Sequence, residues 1–86
     1  MLDRNRALRR GRLQLAAILT LEEATLSHMG PRESSRLIAT TTYTTSSVER
    51  DGIVRRAKKL GFPVDVITDT WDAIAEMETN LREVAA

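Results

Sequence analysis

The chain has 86 residues, of which 42% are hydrophobic and 29% charged, with a formal net charge of +1. This length holds one small domain near the lower limit of independent folding, and the composition is that of a globular chain, not a disordered one. The chain has no cysteine, which excludes disulfides, thiolate metal sites and cysteine nucleophiles and makes the cytoplasm the expected compartment.

The charges are distributed unevenly along the chain. Residues 1–12 carry five arginines and one aspartate, a net charge of +4, whereas residues 65–86 carry six carboxylates and one arginine, a net charge of −5. A molecule with this polarity can bind a polyanion through one end or pack head to tail with copies of itself. The longest apolar run, residues 15–19, is too short to span a bilayer, so no membrane partner is predicted.

The first element has two interpretations. Residues 13–19, LQLAAIL, continue a helix that starts near Asn5, or they form a strand with alternate residues on one side, and the alternation favours the strand. The sequence thus predicts a basic N-terminal arm over residues 1–12 and one small globular domain over residues 13–86.

A helix is predicted from about Leu21. Thr20 and Glu23 match a capping box, in which each side chain satisfies a free backbone amide at the helix start. The helix should end at Gly30, in the left-handed conformation, because Pro31 prevents its continuation.

The segment ATTTYTTSS at residues 39–47 is rich in β-branched side chains. These side chains lose rotamer freedom in a helix but pack well on a pleated sheet, so a strand is predicted from Leu37. The competing interpretation is an exposed, threonine-rich arm. Ser46 or Ser47 then caps a second helix, which should end at Leu60-Gly61.

The alternating segment FPVDVIT, residues 62–68, predicts a third strand. Thr68 or Asp69 then caps a last helix, whose inward-facing stripe is predicted to contain Trp71, Ile74, Met77 or Glu78, Leu81 and Val84. The order βαβαβα predicts an α/β domain with a short, mostly parallel sheet. The alternative is an all-α domain.

Three segments within residues 34–75 share the arrangement of one known family. Leu37-Ile38-Ala39 takes the place of a strand, the run AKKLGFPV at 57–64 that of a helix end and the next strand, and Trp71 that of a packed tryptophan. This resembles the BRCT domain, a βαβ-type module of DNA-repair and replication proteins. The family's lysine before the helix alanine falls on Ile53, so the groups that hold a phosphopeptide are incomplete.

A second resemblance covers residues 48–67. The run VERDGIVRRAKKLGFPVDVI is similar to a segment of MerR-type transcription regulators in which Leu-Gly-Phe turns one helix into the next. This resemblance implies that residues 62–67 form a turn and a helix start.

No catalytic constellation is present, and the sequence predicts that the protein is not an enzyme. His28 is the only histidine and lies near no recognisable nucleophile turn, and the four glycines stand alone. The carboxylates have no metal-ligand spacing, so no metal and no cofactor is expected.

The remaining candidates are two basic stretches that could contact the phosphate backbone of a nucleic acid. We predict a non-enzymatic binding module that acts on DNA, or that recruits a partner in nucleic-acid metabolism. The alternative is a structural subunit of a multi-copy assembly that associates through its charge polarity and an exposed threonine strand. The predicted nucleic-acid-binding residues are Arg9, Arg10, Arg12, Arg55, Arg56, Lys58 and Lys59.

Overall fold

The computed structural model describes the backbone of residues 2–85, and the side chains of Arg9 and of residues 11–84. Over this range the chain forms four α-helices and no strand. They are α1 (Leu2–Ser27), α2 (Pro31–Thr41), α3 (Ser47–Leu60) and α4 (Val64–Ala85). The predicted α/β architecture is therefore wrong, and none of the three predicted strands, including those implied by the BRCT resemblance, is present. Most of their residues are helical, and residues 42–43 and 62–63 lie in connections between helices.

Helix α1 is continuous through both the predicted arm and the predicted first strand. Thr20 does not cap a helix: it lies inside α1, where its hydroxyl donates to the carbonyl of Ala16 at 2.7 Å. The chain turns at residues 28–30 and re-enters a helix at Pro31, which occupies the first turn of α2. Gly30 is extended (φ −69°, ψ 156°) and not left-handed, because it precedes α2 instead of ending α1.

The first part of the threonine run, up to Thr41, is helical, and residues 42–46 connect α2 to α3. Thr41 and Thr42 donate to the carbonyls of Leu37 and Ile38, four residues earlier. A threonine bonded in this way tolerates the helical backbone. The Ile38 carbonyl accepts both from the Thr42 hydroxyl and from the Thr42 amide at the end of α2. Thr42 is buried, so the predicted exposed threonine strand is also wrong.

The predicted boundaries of α3 are confirmed. The Ser46 hydroxyl accepts from the Glu49 amide at 3.5 Å at the helix start. At the other end Gly61 is left-handed (φ 84°), and the Phe62 amide donates to the Ala57 carbonyl at 3.0 Å. This six-to-one bond is the Schellman motif, which requires a residue that adopts positive φ without strain.

The opposite signs of two glycine substitutions test this assignment. Gly61→Ala should lower the free energy of unfolding by about 1 kcal/mol, because an alanine Cβ is strained at positive φ. Gly52→Ala, inside α3, should raise it by roughly 0.5 kcal/mol, because alanine restricts the unfolded chain and its Cβ would meet no atom within 4 Å. Urea unfolding measures both, and equal signs would contradict the helix end at Leu60.

Helix α4 begins at Val64, immediately after Pro63, four or five residues before the predicted cap at Thr68 or Asp69. Thr68 and Thr70 again donate to helical carbonyls, so the β-branched run does not prevent a helix. Trp71 lies in the core, as predicted, at 2% exposure. The core side chains are Ile18, Leu21, Ile38, Ala39, Ile53, Ala57, Phe62, Ile67 and Trp71.

The contacts give the direction of each helix. α2 runs parallel to α4, because residue numbers rise together along three contacts: Arg32–Asp65 (3.9 Å), Ala39–Trp71 (2.9 Å) and Tyr43–Glu78 (3.2 Å). α1 is antiparallel to α2 through a short turn, with Thr25 and Ser34 hydroxyls 2.7 Å apart beside it. Residues 61–63 join the end of α3 to the start of α4, and Arg50, near the start of α3, lies 5.5 Å from the Trp71 ring centre on α4, so α3 doubles back along α4.

Helix lengths are unequal, and this shapes the molecule. At 1.5 Å per residue, α2 is only about 16 Å long, whereas α1 is about 39 Å and α4 about 33 Å. α1 and α4 both pack on α2, so each extends beyond it. The radius of gyration of 13.9 Å exceeds the value of about 12 Å expected for a compact domain of this size.

Candidate interaction surfaces

Four of the predicted basic residues lie together at the end of α3. Arg55, Arg56, Lys58 and Lys59 are exposed and line an open groove of about 750 Å³ along the outer side of this helix. Val48 and Gly52 complete its described lining, which contains no carboxylate. We call these four side chains the α3 basic cluster.

The structure does not bring the N-terminal arginines into this cluster. Arg9 and Arg12 are exposed on α1 and are not part of the described lining of the groove. The side chain of Arg10 lies outside the described residues. The seven predicted residues therefore do not form one surface within the part of the chain that the structure describes.

The helix dipole explains part of the α3 basic cluster without any ligand. Lys58 and Lys59 lie in the last turn of α3, where the carbonyl ends favour positive charge. This effect falls off within one turn, so it does not extend to Arg55. The two arginines are the residues whose position needs a different explanation.

Arg50, which is not among the predicted binding residues, has a structural role. The Arg50 guanidinium carbon lies 5.6 Å from the Tyr43 ring centre and 5.5 Å from the Trp71 ring centre, and its Nε donates to the Thr44 carbonyl. Arg50 is half-buried. Nothing in the sequence distinguishes Arg50 from Arg55, because the groups that Arg50 contacts belong to the preceding loop and to α4.

An apolar stripe on the second half of α4 is largely exposed to solvent. Met77, Leu81 and Val84 are 61%, 68% and 86% exposed. The predicted inward-facing stripe contained Met77 or Glu78, Leu81 and Val84, and this part of the prediction is wrong, because these side chains are exposed. We call Met77, Leu81 and Val84 the α4 stripe. Acidic residues flank it at Glu76, Glu78 and Glu83.

A second apolar surface lies between α1 and α2. A groove of about 340 Å³, which we call the α1–α2 groove, is lined by Leu13, Ala16, Ala17, Thr20, Leu21, Leu37 and Thr41. Leu13 is 63% exposed. Spacings of three and four residues place Arg9 and Arg12 on the same side of α1 as the groove, at its N-terminal end, while Glu33 lies one turn before Leu37 on α2.

Other candidate sites carry less chemistry. His28 is exposed and lines a separate cavity of about 370 Å³ with Ala24, Ser27, Met29 and Glu33. Within the described residues, no three histidine or carboxylate side chains are grouped for metal binding. None of the helices in this range combines the length and hydrophobicity that crossing a lipid bilayer requires.

The chain matches no protein-family model, no curated protein and no solved structure. The BRCT and MerR resemblances therefore stay predictions. Residues 61–63 do join two helices, which is the geometry that the MerR resemblance implies for Leu-Gly-Phe.

Proposed function

We propose that the protein is a non-enzymatic binding module that contacts the phosphate backbone of a nucleic acid through the α3 basic cluster. One observation carries this proposal: four cations within five residues are exposed around one open groove whose described lining contains no carboxylate. Cations arranged in this way neutralise phosphates and release counterions, which favours binding at low salt.

Two features of the cluster determine the kind of binding that we expect. None of the described residues that line the groove at this cluster has an aromatic side chain, on which a base could stack. Phosphate contacts position a protein on a duplex but carry no sequence information. Binding should accordingly depend strongly on salt and weakly on sequence, with Arg55 and Arg56 as the principal contacts.

Anisotropy of a short labelled DNA duplex, titrated with the protein at several salt concentrations, tests the proposal. Contact with four phosphates gives a slope of log K against log salt of about −4. In the double variant Arg55→Ala with Arg56→Ala, the slope should become less steep by about 2. Two duplexes of unrelated sequence should bind alike.

A matched double variant controls for net charge. Arg32→Ala with Arg36→Ala removes the same charge from exposed positions on α2, and its slope should stay close to that of the parent protein. If the duplex does not bind at low salt, or if both double variants weaken binding equally, the α3 basic cluster is not a phosphate site.

The alternative function, a structural subunit of a multi-copy assembly, is favoured by a different observation. Apolar side chains of the α4 stripe and of the α1–α2 groove are exposed to solvent, and clustered apolar exposure is typical of protein-binding surfaces. Charge polarity also favours this function, whereas the exposed threonine strand that we expected to contribute does not exist.

A further inference from the structure

The α4 stripe and the α1–α2 groove lie at the same end of the molecule. The stripe follows Glu78, which accepts a hydrogen bond from Tyr43, the second residue after α2 ends. The groove includes Thr41, the last residue of α2. Since α1 is antiparallel to α2, the part of α1 that passes Thr41 and continues beyond it is the N-terminal half, which includes Leu13.

The two surfaces are complementary in shape and in charge. The α4 stripe is a ridge of three apolar side chains between carboxylates, and the α1–α2 groove is an apolar depression with Arg9 and Arg12 at one end. Over the ends of the chain as a whole, residues 1–12 carry a net charge of +4 and residues 65–86 a net charge of −5. Pairing stripe with stripe would instead bring like charges together, which disfavours it.

We propose that a second copy of this chain covers both surfaces, and that two copies form a closed dimer in which each inserts its α4 stripe into the α1–α2 groove of the other. A stripe and a groove at opposite ends of a molecule would build an open chain of subunits. When the stripe and the groove lie at the same end, two chains related by a two-fold axis make the stripe–groove contact twice. The buried area is then twice that of a single contact, which brings it closer to the size of a stable interface. The proposal rests on the assembly alternative and not on phosphate binding.

Sedimentation equilibrium over a range of protein concentrations tests the proposal, in the absence of DNA. The parent protein should pass from the mass of one chain to the mass of two and no further. Leu81→Glu in the stripe and Leu13→Glu in the groove should each raise the dissociation constant at least about tenfold, because each places a charge in an apolar contact. Both leucines are exposed in the single chain, so far-UV circular dichroism should remain unchanged.

Mixing the two variants identifies which surfaces meet. A heterodimer of Leu13→Glu with Leu81→Glu contains one intact contact, because the unchanged stripe of the first meets the unchanged groove of the second. The mixture should therefore dimerise more tightly than either variant alone. Leu26→Glu is the matched control, since Leu26 is 83% exposed and lies outside both surfaces, and it should dimerise like the parent.

Three results would overturn the proposal. If the chain stays monomeric at every concentration, the two surfaces do not bind a second copy and a different protein would have to cover them. Dimerisation that is insensitive to Leu13→Glu indicates contact between two stripes, and growth beyond two chains indicates an open assembly. None of these results depends on Arg55 or Arg56, so the failure of phosphate binding and the failure of self-association are separate outcomes.

Discussion

Trp71→Ala is expected to lower the free energy of unfolding by about 3–5 kcal/mol, the range for removing a large buried aromatic side chain. Trp71 is part of α4, where it is almost fully buried and contacts Ala39 of α2 and Arg50 of α3. It is the largest side chain of the core. Domains of this size have only roughly 5–15 kcal/mol of stability in total. The melting temperature, followed by circular dichroism at 222 nm, should consequently fall by roughly 12–40 °C.

The indole also has a polar role, which Trp71→Phe isolates. Its Nε1 donates to the Ala39 carbonyl at 2.9 Å, and Ala39 lies in the last turn of α2, where carbonyls have no partner within the helix. Phenylalanine keeps much of the apolar contact but leaves this carbonyl unpaired, at a cost of about 1–3 kcal/mol. Leu26→Ala, at an exposed position, should change stability by less than about 0.5 kcal/mol. A Trp71→Ala variant as stable as Leu26→Ala would contradict this packing.

Arg50→Met should cost about 2 kcal/mol of unfolding free energy, although it replaces a charged side chain with an apolar one of similar length. The substitution removes the bond to the Thr44 carbonyl, worth about 1.5–3 kcal/mol for a charged donor. It also removes the cation from beside two aromatic rings, a contribution of roughly 0.5–1 kcal/mol each at partly exposed sites. Methionine recovers part of this through its own contacts with the rings.

Arg55→Met is the matched control for this effect. Arg55 lies five residues later on the same helix and is exposed, so its loss should change the free energy of unfolding, measured in urea, by less than about 0.5 kcal/mol. Duplex binding should respond in the opposite way, with Arg55→Met weaker and Arg50→Met close to the parent wherever it is folded. If the two variants are equally stable, the contacts of Arg50 with Tyr43 and Trp71 contribute nothing.

The boundaries of α3 could be predicted because their signals are local. A serine cap and a glycine at positive φ act through the backbone of the same few residues, as Ser46 and Gly61 do here. The strands at 37–43 and 62–68 were wrong because β propensity describes a preference that neighbouring groups can override. At Thr41 and Thr68 the override is visible, since each hydroxyl bonds to a carbonyl of its own helix.

The basic residues of the candidate surface could be read from the sequence, but their grouping could not. Arg55 and Lys59 are close because one helix carries them, whereas Arg9 belongs to a different helix. The residue pattern within α4 alone could not predict that Leu81 is exposed. The spacing of apolar residues in α4 correctly predicts that one side of the helix is apolar. It does not predict how much of that side other helices cover, because this depends on the lengths and positions of those helices.

The shortest helix holds the molecule together, and this affects the order in which it can form. An isolated helix of 11 residues is marginal in water, yet α2 contributes the fully buried Ile38 and Ala39. The hydrogen bonds that connect α4 to Ala39 in this helix and to Tyr43 just after it join residues 32 and 35 positions apart in the chain. α2 should therefore become persistently helical only when α4 has closed on it, and its amides should exchange with solvent more slowly than those at the free ends of the two long helices.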